Sequence, residues 1–344
     1  HGAVSDSRGQ LPDEKVWPVK YTTMFHMTND SGLFLKPEEL QKQGYRPATL
    51  NRWVNAAGAE ALPLYEGKMV QMFDHRAADV VVNVENLHRA AQQEAISQVE
   101  KASPSRYPEP QFLVAAGEVT ANSFDWALGF KEITAPTNVR SMIATFLPRA
   151  GFGNKVPLLV PQCDSPQTAV GMASIIAANL NCFAFDFVLR QKLQGQTINL
   201  FILEQLPVIV PDRFEHSIGG IQIAGFVRQQ VLALTYTAHD MAPFASDMGY
   251  VYATGVRKGQ VKPPFVWDEE DRRRRMAALD GLFFHLYGLD ANDAAYIMDS
   301  FPIVREQDEK AFGRYRTKED VLAALEAVSQ GRWPVASQPT SPAA

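Results

Sequence analysis

Four segments of this 344-residue chain gather side chains suited to polar recognition. Segment 68–76 sets Lys68, Gln71, His75 and Arg76 around an apolar stretch, with Asp74 between them. Such a set can contact phosphate oxygens and base edges. Asp74 serves equally well as an internal ion-pair partner of Arg76 or His75. Segment 149–155 is a basic loop whose two glycines allow a close backbone approach, leaving Arg149, Asn154 and Lys155 to serve phosphate or base. A plain connecting loop has the same composition. Segment 190–199 contributes Arg190, Lys192, Gln196 and Asn199, and Arg and Gln are shaped for bidentate base contacts. Polar ends of packed helices are the alternative there. The four-arginine run 272–275, with Arg272 and Arg273 as the expected contacts, fits a phosphate patch or a solvated helix face. The acidic stretch 268–271 directly before it opposes the first option.

Other chemistries lack their residues. No G-x-x-x-x-G-K-[ST] loop, no G-x-G-x-x-G after a strand, no H-E-x-x-H and no G-x-S-x-G elbow occurs. The carboxylates form no nuclease-like metal set. Lys262-Pro-Pro-Phe265 has the shape of the adenine-binding run of amino-methyltransferases. A lysine, however, stands where an Asn or Asp must accept from the base amine. No catalytic residue and no metal site is therefore expected. Two cysteines, nineteen positions apart, make neither a metal set nor a disulfide framework and read as reduced thiols of a cytoplasmic protein. The net charge of −5 excludes a uniformly basic coat but not a local positive groove. No apolar run reaches membrane-spanning length, so no membrane partner is expected.

The elements that must position these residues change character along the chain. Residues 1–20 read as a polar lead-in. Residues 21–165 hold short apolar runs cut by Gly and Pro, which predicts mixed α/β structure. A strand–turn–strand is expected about residues 28–32, a half-buried strand from Met69 to Phe73, and an exposed excursion over 86–110. Residues 166–265 are helix-rich. Ile175, Ala178, Cys182, Phe185 and Leu189 recur at helical spacing, with a break near Asn179-Leu180-Asn181. Pro207 and Pro211 bound a short apolar strand, Gly219 and Gly220 a loop, and 223–237 a second helix. Residues 266–330 read as a helical region. Asp268 opens one helix, Asp290 with Asp293 caps a second, and Thr317 with Asp320 caps a third. Residues 331–344 read as a disordered tail. The fold class expected is α+β: a mixed β-rich part, then long helices, then a helical C-terminal region.

Several strings form an ordered set: Pro63-Leu-Tyr-Glu-Gly-Lys-Met69 with Phe73-Asp-His-Arg76; segment 131–148 with Thr137, Asn138 and Arg140, running into Arg149; then Asn181, Phe185-Asp186, Arg190, Gly195, Asn199 and the segment 203–207. Leu279-Asp280, the segment 286–289, Tyr296-Ile297, Phe301-Pro302 and the segment 312–316 close it. Over residues 20–328 this order resembles the C-terminal target-recognition region of Eco57I-like restriction–modification adenine-N6 DNA methyltransferases. The methyltransferases of BREX- and DISARM-type phage-defence systems look similar. The resemblance implies a partner, double-stranded DNA, and a catalytic domain or subunit that binds S-adenosylmethionine. The Asn-Pro-Pro-aromatic motif and cofactor glycines of that domain are missing here, so a fragment or split subunit, not active alone, is expected. A scaffold that docks a catalytic methyltransferase subunit is the alternative.

Overall fold

The computed structural model describes residues 16–82, 91–120, 123–135 and 138–334. Most of the lead-in, residues 335–344 of the tail, the start of the 86–110 excursion and Thr137 lie outside the described residues. Mixed sheets occupy the first half and long helices the end, as the change in composition predicts.

The chain enters through β1 (Val19–Thr22), α1 (Pro37–Lys42), β2 (Arg46–Pro47), β3 (Trp53–Val54) and β4 (Glu60–Tyr65). A small hairpin follows, β5 (Ala78–Val81) with β6 (Gln92–Ala95), then α2 (Gln98–Lys101) and β7 (Leu113–Ala115). The central strands are β8 (Trp126–Phe130), β9 (Ala144–Pro148), β10 (Gly151–Phe152) and β11 (Leu158–Pro161). One sheet has the order β1-β11-β8-β9, antiparallel throughout. The other has the order β10-β4-β3-β2, with β7 also on β4, and only its β10–β4 pair is parallel.

β8, β9 and β11 are buried at every position, so their sequences are continuously apolar rather than alternating. The two faces nonetheless separate with period two. Trp126, Leu128, Phe130 and Phe146 join the core beneath the helices. Ala127, Leu147, Leu158 and Val160 pack with Tyr65 and Phe152 of the other sheet. The first sheet is thus the middle layer between helices and second sheet.

The helical layer begins with α3 (Pro166–Asn181), capped by Ser165, whose Oγ accepts from the Thr168 N–H at 3.1 Å. α4 (Phe183–Lys192) follows after a break at Cys182 that turns the axis by 62°. The break has a partner: the Asn181 amide exchanges two 2.9 Å hydrogen bonds with the backbone of Ala144, tying the helix end to β9. α5 (Leu200–Glu204) comes next, then the hairpin β12 (Ser217–Ile218) and β13 (Ile221–Gln222), which turns through Gly219 and Gly220, both at positive φ. α6 (Ile223–Thr235) and α7 (Ala242–Asp247) complete this layer. The end of the chain is α8 (Glu269–Leu286), α9 (Ala291–Asp299), α10 (Pro302–Phe312) and α11 (Arg316–Ser329). Among the described residues no single helix is long and apolar enough to cross a membrane. The bent α3–α4 pair has the length, but it is core.

Four local expectations fail for physical reasons. The stretch from Met69 to Phe73 is a 3-10 turn (Gly67–Met69) followed by a tight turn in which Gln71 and Asp74 exchange backbone hydrogen bonds. Phe73 takes a positive φ of 54° there, held by its N–H on the Ala144 carbonyl. Residues 28–32 form no hairpin; Phe25 and Leu35 make isolated bridges to Gly153 and Leu113. Residues 208–210 find no ladder partner and form no strand. α11 starts at Arg316, and its Thr317 N–H is satisfied by the Asp308 carboxylate from α10 rather than by a Thr317 cap. One core cluster runs from Phe73 through Trp126 and Ile175 to Val328, without parting at 165/166 or 265/266.

Candidate nucleic-acid interface

Three of the four polar segments converge. The parallel β4–β10 pair sets the loop after Tyr65 beside the loop after Phe152, with the Gly153 N–H donating to the Tyr65 carbonyl at 2.9 Å. Gly67 lies beside Lys155 and Lys131: a Cβ there would stand in ordinary contact, 3.4 Å from the Lys155 carbonyl oxygen and 3.9 Å from Lys131 Cγ. The strap leaving β8 at Lys131 joins both sides. Its Glu132 N–H donates to the Lys155 carbonyl (3.2 Å), and its Glu132 carbonyl accepts from the Ile198 N–H (2.8 Å). Thr134 donates to the Gln196 carbonyl at 2.8 Å, and Ile133 bridges Thr197. The backbones of Lys155 and of residues 196–198 therefore flank the strap 131–135, with Gly67 alongside and Lys68, Asn154 and Asn199 next in sequence to these contacts.

The charges on this edge are partly spent. Lys155 pairs with Glu132 at 2.7 Å, and Lys68 pairs with Glu66 at 3.0 Å while donating to the Ala91 carbonyl. Asn199 caps α5 by accepting from Ile202. Asn154 faces the Met27 N–H at 3.4 Å. Gln196 is exposed. Lys131 differs: its ammonium has no hydrogen-bond or ion-pair partner among the described residues, and partial burial lowers its pKa. A half-desolvated cation of this kind can take an anionic oxygen, and exposed amides such as Gln196 can donate to or accept from base edges. Lys131 is not among the candidates that the sequence singles out. Its only signal is its position, one charged residue directly after the apolar run of β8.

The remaining candidates lie elsewhere. Arg149 is exposed at the turn between β9 and β10, beyond the Trp126–Pro148 end of the ladder, whereas Lys131 follows the Phe130–Ala144 end. Gln71 is exposed on its own turn. Lys192, at the end of α4, reaches Gln205 at 3.4 Å. Arg190 donates to the carbonyls of Asn138 and Val139 and lies 4.1 Å over the Phe301 ring. Arg273 is neutralised by Glu270 and Asp320.

His75, Arg76 and Arg272 are corrected outright, because all three are buried and their donors face inward. His75 Nε2 shares a 3.0 Å hydrogen bond with Asp240. Arg76 donates to the carbonyls of Ser103, Arg106, Lys101 and Thr237 at 2.9–3.2 Å. Asp74 takes the Lys101 ammonium at 2.7 Å, an ion pair with neither Arg76 nor His75. Arg272 donates to the Leu234 and Phe73 carbonyls and stacks 3.9 Å over Trp267. These groups form a polar core that clamps the 71–76 turn to the helical layer. Releasing them to a ligand would strip buried charges of their partners, which costs several kcal/mol on the order of that for breaking a buried pair.

A second buried cluster surrounds Arg140, which lies 3.4 Å over the Phe183 ring and 3.5 Å from Asp280. The Asp186 carboxylate accepts the N–H groups of Ser141 and Met142. These residues anchor the strap's far end. Compared with models of known protein families, with curated proteins and with solved structures, the chain matches none of them.

Proposed function

We propose that the chain is the sequence-specific duplex-DNA-recognition portion of a bacterial restriction–modification or phage-defence DNA methyltransferase, acting in the cytoplasm. The observation that carries this reading is the convergence of loops 66–68, 153–155 and 196–199 on the strap of Lys131. These loops are far apart in sequence, and they lie at the ends of segments 68–76, 149–155 and 190–199, whose side chains suit phosphates and base edges. In this reading Lys131 takes a backbone phosphate, while Asn154, Gln196 and their neighbours meet the groove.

The methyl-transfer chemistry would come from another domain or subunit. We infer that S-adenosylmethionine is held by that other domain or subunit. Among the described residues the one parallel strand pair, β4–β10, has the four-residue α2 as the only α-helix between its strands, and β11 enters α3 through Gln-Cys-Asp-Ser with no glycine turn. A second reading, a docking scaffold for a catalytic subunit, is favoured by one feature. The short helix α5 exposes Leu200 and Phe201, the latter at 73%.

A fluorescence-anisotropy titration of labelled duplex at low salt tests the proposal. Binding should weaken steeply with salt. Lys131→Met should lower affinity several-fold and reduce the slope of log K against log salt by about one. A chain that binds no duplex, with or without a methyltransferase partner, would sink the DNA reading. Unchanged binding by Lys131→Met would remove the strap from the interface.

A further inference from the structure

A protruding hairpin lies outside all four polar segments. Residues 250–262 fold back on themselves: Val251 bridges Val261, the Tyr252 N–H donates to the Gln260 carbonyl at 3.0 Å, and the Gly259 N–H returns to the Tyr252 carbonyl at 2.9 Å. The tip turns through Gly255 and Gly259, both near φ +80°. Every residue from 253 to 260 is exposed, and Val256 at the apex is exposed without reserve, at 103%. A fully solvated apolar apex contributes nothing to the fold.

The charge on this hairpin is also unusual for this chain. Between Asp247 and Asp268 there is no acidic residue, while Arg257, Lys258 and Lys262 lie within six positions. Many cations elsewhere meet carboxylates, among them Lys68 with Glu66, Lys155 with Glu132, Arg273 with Glu270 and Arg275 with Asp271. None of the three hairpin cations has a carboxylate partner among the described residues. Two lean on rings instead, Arg257 at 5.8 Å from the Tyr252 centroid and Lys262 at 5.0 Å from Tyr250. Tyr250 in turn packs on Phe265 and Tyr236 of the core, so the stem is fixed while the tip projects.

We propose that this hairpin is a DNA probe that enters the major groove. The partner follows from shape and charge. The major groove admits a two-stranded ribbon, the uncompensated cations match flanking phosphates, and a small apolar side chain at the apex meets groove-floor methyl groups such as that of thymine. Arg257 and Lys258 take phosphates on the two sides, and Val256 contributes sequence preference rather than affinity. The inference rests on the DNA reading above and assigns that reading a second contact, remote from Lys131 in sequence.

The test uses the full chain and two variants, Arg257→Ala/Lys258→Ala and Val256→Ser. All substituted side chains are exposed, so melting temperatures should stay within a degree or two of the parent, which checks folding. Duplexes of A·T-rich and G·C-rich sequence are titrated across a salt series. The double variant should lose about two from the salt slope and bind at least tenfold more weakly at moderate salt. Val256→Ser should leave the slope unchanged and narrow the preference between the two duplexes. If the parent binds duplex and the double variant keeps its affinity and slope, the hairpin proposal is overturned while the DNA reading stands. If the parent binds no duplex, both fall. A hairpin that instead captures a protein partner would show the first of these patterns.

Discussion

Asp280 shows how a single buried carboxyl in this chain sets a pH response. It lies in the interior of α8, accepting the Phe183 N–H at 2.7 Å with the Arg140 guanidinium 3.5 Å away. Burial outweighs both favourable partners and pushes its pKa from an ordinary 3.8 up to about 6. In the unfolded chain the group ionises near 3.8. Below that pH both states hold the proton and the folded state has its full stability. Between 3.8 and 6 the unfolded state releases its proton and the folded state retains it, so stability falls as pH rises. Above 6 the loss levels off at about 3 kcal/mol, two pKa units at 1.36 kcal/mol each. Asp280→Asn keeps an acceptor for Phe183 and removes the titration. Thermal melts of both proteins between pH 4.5 and 7.5 should show the parent losing stability relative to the variant as pH rises. Parallel curves would exclude Asp280 as the source. At this scale sequence was least informative. Asp280 and Arg76 look like surface residues in a linear string, and only the packing of α8 and the 71–76 turn against the core reveals that their partners are internal.

At the scale of elements, two glycines in helix interiors carry opposite predictions. Gly281 in α8 lies where α11 crosses, and a Cβ there would stand 2.6 Å from both the Leu325 backbone nitrogen and Ala324 Cβ. Gly171 in α3 faces only the guanidinium end of Arg228, an exposed side chain that can swing aside. Gly281→Ala should therefore destabilise by about 1–3 kcal/mol, because a helix backbone must move. Gly171→Ala should be neutral or stabilising by up to roughly 1 kcal/mol through helix propensity. Urea-unfolding midpoints distinguish them, and the same sign for both would contradict the close α8–α11 crossing. Helices were the legible elements. The breaks and caps at Asp268, Cys182 and Asp290 follow from local residue types, and the structure has them at or beside the expected positions. Features that depend on a distant partner were not legible. The turn at 71–74 needs Ala144 and Arg272, and the start of α11 needs Asp308. The meeting of the 68, 155 and 196 loops needs the parallel β4–β10 pair, which no periodicity announces. Each loop was legible as polar, but their convergence on Lys131 was not.

For the whole molecule, the distribution of core predicts which regions open first. Trp126, Phe146, Ile175, Phe283 and Val328 belong to one continuous apolar cluster, so the first sheet and the helices share their burial. α3 is the centre of that unit, buried at every residue from Ala169 to Asn181. The outer edge of the second sheet is built differently. β2 is exposed, β3 is half-buried, and they rest on a small separate cluster of Leu40, Ala61 and Leu113. Local opening there uncovers little apolar surface, whereas opening α3 means exposing the shared core. Native-state hydrogen exchange read by mass spectrometry should find amides of 43–56 protected at least roughly a hundred-fold less than those of α3. β8, β9 and α3 should exchange together, with the same steep dependence on added urea, because no part of that cluster can open without the rest. If α3 and α8 instead opened in one event and β8–β9 in another, sheet and helices would be separate cooperative units despite their common core. An interface strung between β8 and the 196–199 loop would then bridge two bodies. A single event means that the strap of Lys131 is held on one rigid frame, which the proposed recognition of a fixed DNA sequence would require.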